Sequence, residues 1–282
     1  MIHLTECPRD AMQGIEEWIP TEQKVAYINQ LLSVGFDVLD FGSFVSPKSI
    51  PQMRDTAEVL SQLDLSNTKT ELLAIIANER GATEACQHQQ ISYLGFPFSV
   101  SEEFQLRNTN SSRAASLERV KYIAELADSH NKELVIYLSM GFGNPYGEAW
   151  SPEIVLEWTA ALAELGISRF AISDTIGDAS PTTIGSLYTQ LTTTYPNFIW
   201  GAHLHTTPTA WEAKIIAAYE AGCRRFDGAI KGYGGCPMAS DELTGNMPTE
   251  KMIEYFEKTD VTKISQTHLL EAITSSQSVF PF

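Results

Sequence analysis

His203 and His205, one residue apart in the run HLH, are the pair in this 282-residue chain best suited to holding a cation. Side chains alternate along an extended strand, so both imidazoles would project from one face as two nitrogen ligands. Arg9 and Asp10, in PRDAMQ, set a guanidinium beside a carboxylate just after an apolar start. Asp40 and Asp174 each close a β-type run, the second within SDTIG. GYGGC places glycines at 232, 234 and 235 ahead of Cys236, the pattern of a mobile loop carrying a thiol, and Asn246 follows with an amide oxygen to offer. Each residue also has a plainer reading: a surface ion pair for Arg9 and Asp10, a helix cap for either aspartate, a turn for Asn246, a core thiol for Cys236.

What must position these groups is a repeating series of elements. Apolar, β-type runs fall at 2–6, 37–42, 69–77, 91–97, 133–140, 168–174, 198–204 and 225–230. Helical periodicity lies between them, as in Val25, Ile28 and Leu32 ahead of Gly35, or Val155, Trp158, Leu162 and Leu165 ahead of Gly166. Ser151-Pro152, Ser180-Pro181 and Thr207-Pro208 each offer a hydroxyl N-cap followed by proline at the first helical position. Eight β-then-α units without a polar linker predict one α/β domain over 1–282, a (β/α)₈ TIM barrel, with residues 260–282 packing as an extra C-terminal helical segment. Such a barrel carries its chemistry at the C-terminal ends of the strands. Asp10, Asp40, Asp174, His203, His205 and Cys236 all fall at that rim. One carboxylate, two imidazoles and an amide suit an octahedral Mg²⁺ or Mn²⁺ better than a tetrahedral Zn²⁺.

Composition removes several function classes. With 43% apolar and 19% charged residues the chain is neither disordered nor fibrous. Its 19 basic against 35 acidic residues leave a net charge of −16, which repels a phosphate backbone and argues against a nucleic-acid partner. No run approaches the ~18 apolar residues of a membrane span. The start, MIHLTECPRD, lacks the layout of a signal peptide, and the cysteines 7, 86, 223 and 236 are too scattered for a disulfide framework, so a reducing, cytoplasmic setting is expected.

Taken in order, the motifs resemble the DRE-TIM metallolyases and, within them, the 3-hydroxy-3-methylglutaryl-CoA lyase family. PRDAMQ is similar to that family's PRDGLQ; SFVSPKSIPQM, SEEFQLRNTN, SDTIG, HLH and GGCP with the later GN follow at matching places. The resemblance implies a divalent cation, Mg²⁺ or Mn²⁺, on Asp10, His203, His205 and Asn246. It implies Arg9 as the group that stabilises the enolate oxygen and Cys236 as a proton-transfer residue. Asp40, Gln13, Ser43 and Asp174 would line the acyl pocket, with Asp40 close enough to the chemistry to count as catalytic. The substrate would be an acyl-CoA cleaved by retro-Claisen chemistry, and the assembly a homodimer. A related aldolase or Claisen-condensing enzyme, or a non-catalytic homologue that still binds a ligand, are the alternatives. The chain departs from the family at Thr5, where a carboxylate is usual and Glu6 stands one position off; at Ala11, for a glycine; at Thr206, for an aspartate; and at Asn144, for a cysteine. One extra residue also separates Cys236 from Asn246. Ala11 would be harmful if its backbone needed positive φ.

Overall fold

The computed structural model describes residues 1–235, 244–257 and 264–280. Eight strands form its centre: β1 (His3–Glu6), β2 (Val38–Ser43), β3 (Glu71–Ile75), β4 (Ile91–Ser99), β5 (Glu133–Ser139), β6 (Arg169–Asp174), β7 (Ile199–Thr206) and β8 (Arg225–Gly228). All are parallel, each beside its sequence neighbours, with β1 pairing β8 to close the cylinder. The expected TIM barrel is therefore present. A ninth strand, β9 (Gly245–Asn246), pairs antiparallel with the end of β7, setting Asn246 opposite His205.

Strands buried on both faces need apolar residues in both registers, which is why runs such as Leu134-Val135-Ile136-Tyr137-Leu138 barely alternate. Val38, Leu73, Tyr93, Val135, Tyr137 and Ala171 fill the axis of the barrel, while the larger apolar cluster lies between strands and helices. On β2 the pairing with β3 slips between Asp40 and Gly42. Asp40 then sits opposite Leu73 and Ser43 opposite Ile75, and both partners belong to the axial cluster. This bulge turns two polar residues of odd spacing toward the same interior.

The helix starts expected at Ser151-Pro152 and Ser180-Pro181 are found, at helices Pro152–Ala163 and Pro181–Thr194; the Ser180 hydroxyl accepts from the Thr183 N–H. The third differs. Thr207-Pro208 forms a turn closed by the Ala210 N–H on the Thr207 carbonyl (3.1 Å), and the helix begins only at Trp211. Proline favours the second position of a turn as readily as the first of a helix.

The C-terminal helix Gln266–Val279 packs on the helix Thr21–Leu32, with His268 Nδ1 bonded to the Ser33 carbonyl (2.8 Å) and Ser265 donating to that of Val34 (2.9 Å). It delivers Phe280 between Tyr27 and Tyr233, stacked on the latter at 4.4 Å. Among the described residues no helix is long and apolar enough to cross a membrane.

Candidate metal centre

PRDAMQ does not run on as a loop. Pro8 opens a single-turn-and-a-half helix, Pro8–Gln13, directly beyond β1, and this helix rolls Arg9 and Asp10 over the barrel mouth. Ala11 lies inside it and is absent from the residues with positive φ, so alanine fits there without strain.

Asp10 offers a carboxylate oxygen within 4.8 Å of one nitrogen each of His203 and His205, which β7 presents together from its end. All three side chains are buried. The ring tautomers follow from what lies behind them. His205 Nδ1 donates to the Thr175 carbonyl at 2.9 Å, and His203 Nδ1 faces Asp227 Oδ2 at 3.3 Å. In the neutral form of each ring Nε2 is then the nitrogen without a proton, its lone pair toward the site; against burial, Asp227 and Asp10 raise the His203 pKa, and a bound cation would displace that proton. His205 Nε2 is buried with no hydrogen-bond partner among the described residues. An orphaned imidazole lone pair beside a carboxylate is what a bound cation would satisfy, so the residues fit the group. Burial and the neighbouring His203 push the His205 pKa down to about 4, which keeps the ring neutral. Burial opposes the charge on Asp10, but Arg9, helped by the Asn246 N–H, holds its pKa at about 2.

Asn246 joins from β9. Its amide N–H₂ donates to Asp10 Oδ2 and to the Tyr233 carbonyl, both at 2.8 Å, which leaves the amide oxygen as its free ligand atom. The glycine loop that β9 follows lies close on the helix Pro8–Gln13. A Cβ at Gly234 (φ +83°) would stand 2.7 Å from the Ala11 Cα and 2.9 Å from the Asp10 carbonyl oxygen, so only glycine allows this approach.

Arg9 is held before any substrate arrives. Its Nε lies 3.2 and 3.1 Å from the Asp40 oxygens and its Nη2 2.5 Å from Oδ2, while Nη1 donates to Asp10 Oδ1 (2.9 Å) and Gln13 Oε1 (2.8 Å). Among the described residues these bonds occupy four of the five guanidinium hydrogens, leaving one on Nη2. Gln13 also donates to Asp10 at 2.9 Å. Burial lifts the Asp40 carboxyl to about 6 against the pull of Arg9.

Arg9, Asp10, Gln13, Asp40, His203, His205 and Asn246 are thus brought together. Ser43 stands nearby at the end of β2, its hydroxyl accepting from the Val45 N–H (3.2 Å). Asp174 does not join them. Ala171, two residues inside a full alternation from Ser173, faces the axis, so Asp174 points to the helix side. There its carboxylate takes Lys214 Nζ at 2.7 Å and the Ala179 N–H at 3.2 Å, apart from the groups around Asp10. Cys236 lies outside the described residues. The same parity settles Glu6: it faces outward, accepting from the Ile230 N–H (2.9 Å) and the Thr249 hydroxyl (2.5 Å), and burial raises its pKa to about 8. It ties both roots of the glycine-loop excursion to β1 and takes no part in the cation cluster. Thr206 turns its hydroxyl to the Thr207 carbonyl, and Asn144 organises the loop after β5 by accepting from Tyr146 and Glu148.

Sequence reasoning missed Asp227 and Lys214. Asp227 was detectable: Arg225 and Asp227 alternate on the predicted eighth strand with the spacing that singled out HLH. Lys214 had no signal beyond a lone lysine on an amphipathic helix; it proves to bridge Asp174 and the carbonyls of Gly177 (2.7 Å) and His205 (2.8 Å). Cys7, His203 and Asp227 form a second group with donor atoms within 4.8 Å. There, however, Asp227 is already paired with Arg225 (3.0 Å), and burial with three nearby carboxylates keeps the Cys7 thiol protonated.

Comparison with known proteins agrees with the geometry. The HMGL-like family model matches residues 3–277. A hydroxymethylglutaryl-CoA lyase of Bacillus subtilis is 34% identical over 266 residues, 94% of this chain and 88% of that protein. Among solved structures, the Bacillus subtilis HMG-CoA lyase superposes with a TM-score of 0.92 at 32% identity, covering 98% of this chain and 93% of that one. An HMG-CoA lyase from Acinetobacter baumannii, in complex with coenzyme A and 3-methylmalate, gives 0.90 at 29% identity, covering 99% and 91%.

Proposed function

The chain belongs to the HMGL-like family, and we propose that it cleaves 3-hydroxy-3-methylglutaryl-CoA to acetyl-CoA and acetoacetate, using Mg²⁺ or Mn²⁺ held by Asp10, His203, His205 and Asn246. The observation that carries this reading is the convergence of Asp10 with two imidazoles whose Nε2 lone pairs face one point at the barrel mouth, beside an immobilised guanidinium. When bound, the cation supplies Lewis-acid polarisation of the substrate's tertiary hydroxyl and makes its proton easier to remove. Oxygen-rich coordination with two imidazoles favours those ions over Zn²⁺.

The chain's own groups account for the rest. Asp40, at about 6, is tuned to accept the hydroxyl proton near neutral pH. The C2–C3 bond then breaks, its electron pair passing to the acetyl-CoA enolate, while the C3 hydroxyl becomes the ketone of acetoacetate. Arg9 directs its remaining N–H at the thioester oxygen, where the negative charge gathers. Because Asp10, Gln13 and Asp40 fix the guanidinium beforehand, little reorganisation is needed at that moment. Cys236 returns a proton to C2. The free, buried thiols of Cys7, Cys86 and Cys223 support a reducing, cytoplasmic setting, and a homodimer completes the reading.

The test is product identification by mass spectrometry with a small acyl-CoA panel and added Mn²⁺. Acetoacetate and acetyl-CoA from the hydroxymethylglutaryl thioester are expected. Condensation with a 2-oxo acid as the sole reaction, or cation binding without turnover of any thioester, would overturn it.

A further inference from the structure

Below the cation cluster, the barrel axis holds a second polar layer that the proposed reaction does not use. Arg225, 3% exposed, reaches across it from β8. Its Nη2 lies 3.0 Å from Asp227 Oδ1 and 3.3 Å from the Tyr137 hydroxyl, and its Nε donates to the Thr5 hydroxyl at 3.3 Å. Nη1 has no hydrogen-bond partner among the described residues and lies over Gly201, where a Cβ would come within 2.8 Å of it. A side chain at position 201 would therefore press Nη1 off its present seat. The Tyr137 ring stands edge-on to His203 at 5.4 Å, and Asp227 faces His203 Nδ1 from below.

These contacts form one chain: Arg225 to Asp227 to His203. Asp227 is 2% exposed, and an uncompensated carboxylate at that depth is strongly disfavoured. Arg225 supplies the countercharge, and its contacts to Thr5 and Tyr137 fix where that charge sits. A neutral hydroxyl at Thr5 suits the layer, since a carboxylate there would set two negative charges against one guanidinium. We propose that Arg225 is a positioning residue for the cation site: by clamping Asp227 it keeps the His203 imidazole oriented with Nδ1–H pointing down and Nε2 aimed at the cation. This rests on the cation site proposed above. It adds that the site's affinity is set partly by a residue two contacts removed from the ligand imidazole, as outer partners of metal-binding histidines commonly do.

Two readouts test it on the full-length protein. The first is the His203 tautomer in the metal-free protein, read by long-range ¹H–¹⁵N NMR; the second is Mn²⁺ affinity by EPR titration. Arg225→Met should abolish the single Nδ1–H tautomer and weaken Mn²⁺ binding about 10-fold or more. Arg225→Lys, which keeps the charge, should recover much of both. Gly201→Ala, a gentler change that pushes Nη1 off its seat, should move both in the same direction by a smaller factor, and it decides the matter if Arg225→Met does not fold. Wild-type tautomer and affinity in folded Arg225→Met and Gly201→Ala, with only the melting temperature lowered, would overturn the proposal. A wild-type protein that binds no Mn²⁺ would instead overturn the cation site itself, while the tautomer readout would still report whether Arg225 orients His203.

Discussion

The two ends of the barrel carry similar inventories of charged residues and use them differently. At the N-terminal end a cavity of about 610 Å³ is lined by Glu71, Tyr93, Lys132 and Glu133 among others. Every polar group singled out there has a partner: the Tyr93 hydroxyl donates to Glu71 (2.8 Å), Lys132 Nζ to the carbonyls of His88 (2.8 Å) and Ile91 (2.7 Å), and Arg169 pairs with Glu133 (2.7 Å). At the C-terminal end the charged groups are buried, yet among the described residues His205 Nε2 is left without a partner and Arg9 keeps one N–H in hand. Concavity marks the first region and unfinished coordination marks the second. The difference teaches that a site is better found by what its buried atoms lack than by the room it encloses.

The comparison breaks most readily at His205. His205→Ala removes a proposed ligand, and Mn²⁺ affinity measured by EPR titration should fall about 100-fold or more, with turnover lost alongside. Unchanged affinity would remove the orphaned nitrogen from the site. Next is Arg9→Lys, which keeps the charge but loses the fork that engages Asp40 and Asp10 together; steady-state kinetics should show kcat reduced about 10²–10³-fold with KM little changed. A third, smaller effect concerns stability. The Glu6 carboxyl titrates near 8 in the fold against an ordinary 4.5, so between those values the native protein keeps a proton that the unfolded chain has released. Stability should therefore fall as pH rises through that window, and Glu6→Gln should flatten the fall in a series of urea melts. Identical pH dependence in wild type and Glu6→Gln would contradict it. The smallest effect belongs to the other end: Lys132→Met should cost about 1–2 kcal/mol of stability and leave kcat unchanged, and a loss of turnover would show that the lower cavity takes part in function.

Much of this was legible in the order of residues. All eight strand candidates appear within a few residues of their expected bounds, because strands buried on both faces are apolar in both registers and stand out against amphipathic helices. The period-2 spacing of HLH correctly paired two imidazoles, and Arg9, Asp10, Asp40 and Asn246 gather with them. What counting could not reach has local reasons. Counting alone cannot place Ser43 inward, because a single bulged residue resets the alternation on β2. Asp174 sits at a strand's C-terminal end like Asp40, but on the opposite parity, where Lys214 claims it. Thr207-Pro208 carries the signals of a helix start and of a turn alike. Asp227 required noticing that a second strand repeats the alternation of polar residues.

The most direct measurement is an anomalous difference map from a crystal soaked in Mn²⁺. A single strong peak within bonding distance of an Asp10 carboxylate oxygen, His203 Nε2 and His205 Nε2 is expected. A peak elsewhere, or none at this mouth in a preparation that still releases acetoacetate, would contradict the shared cation on which the chemistry depends.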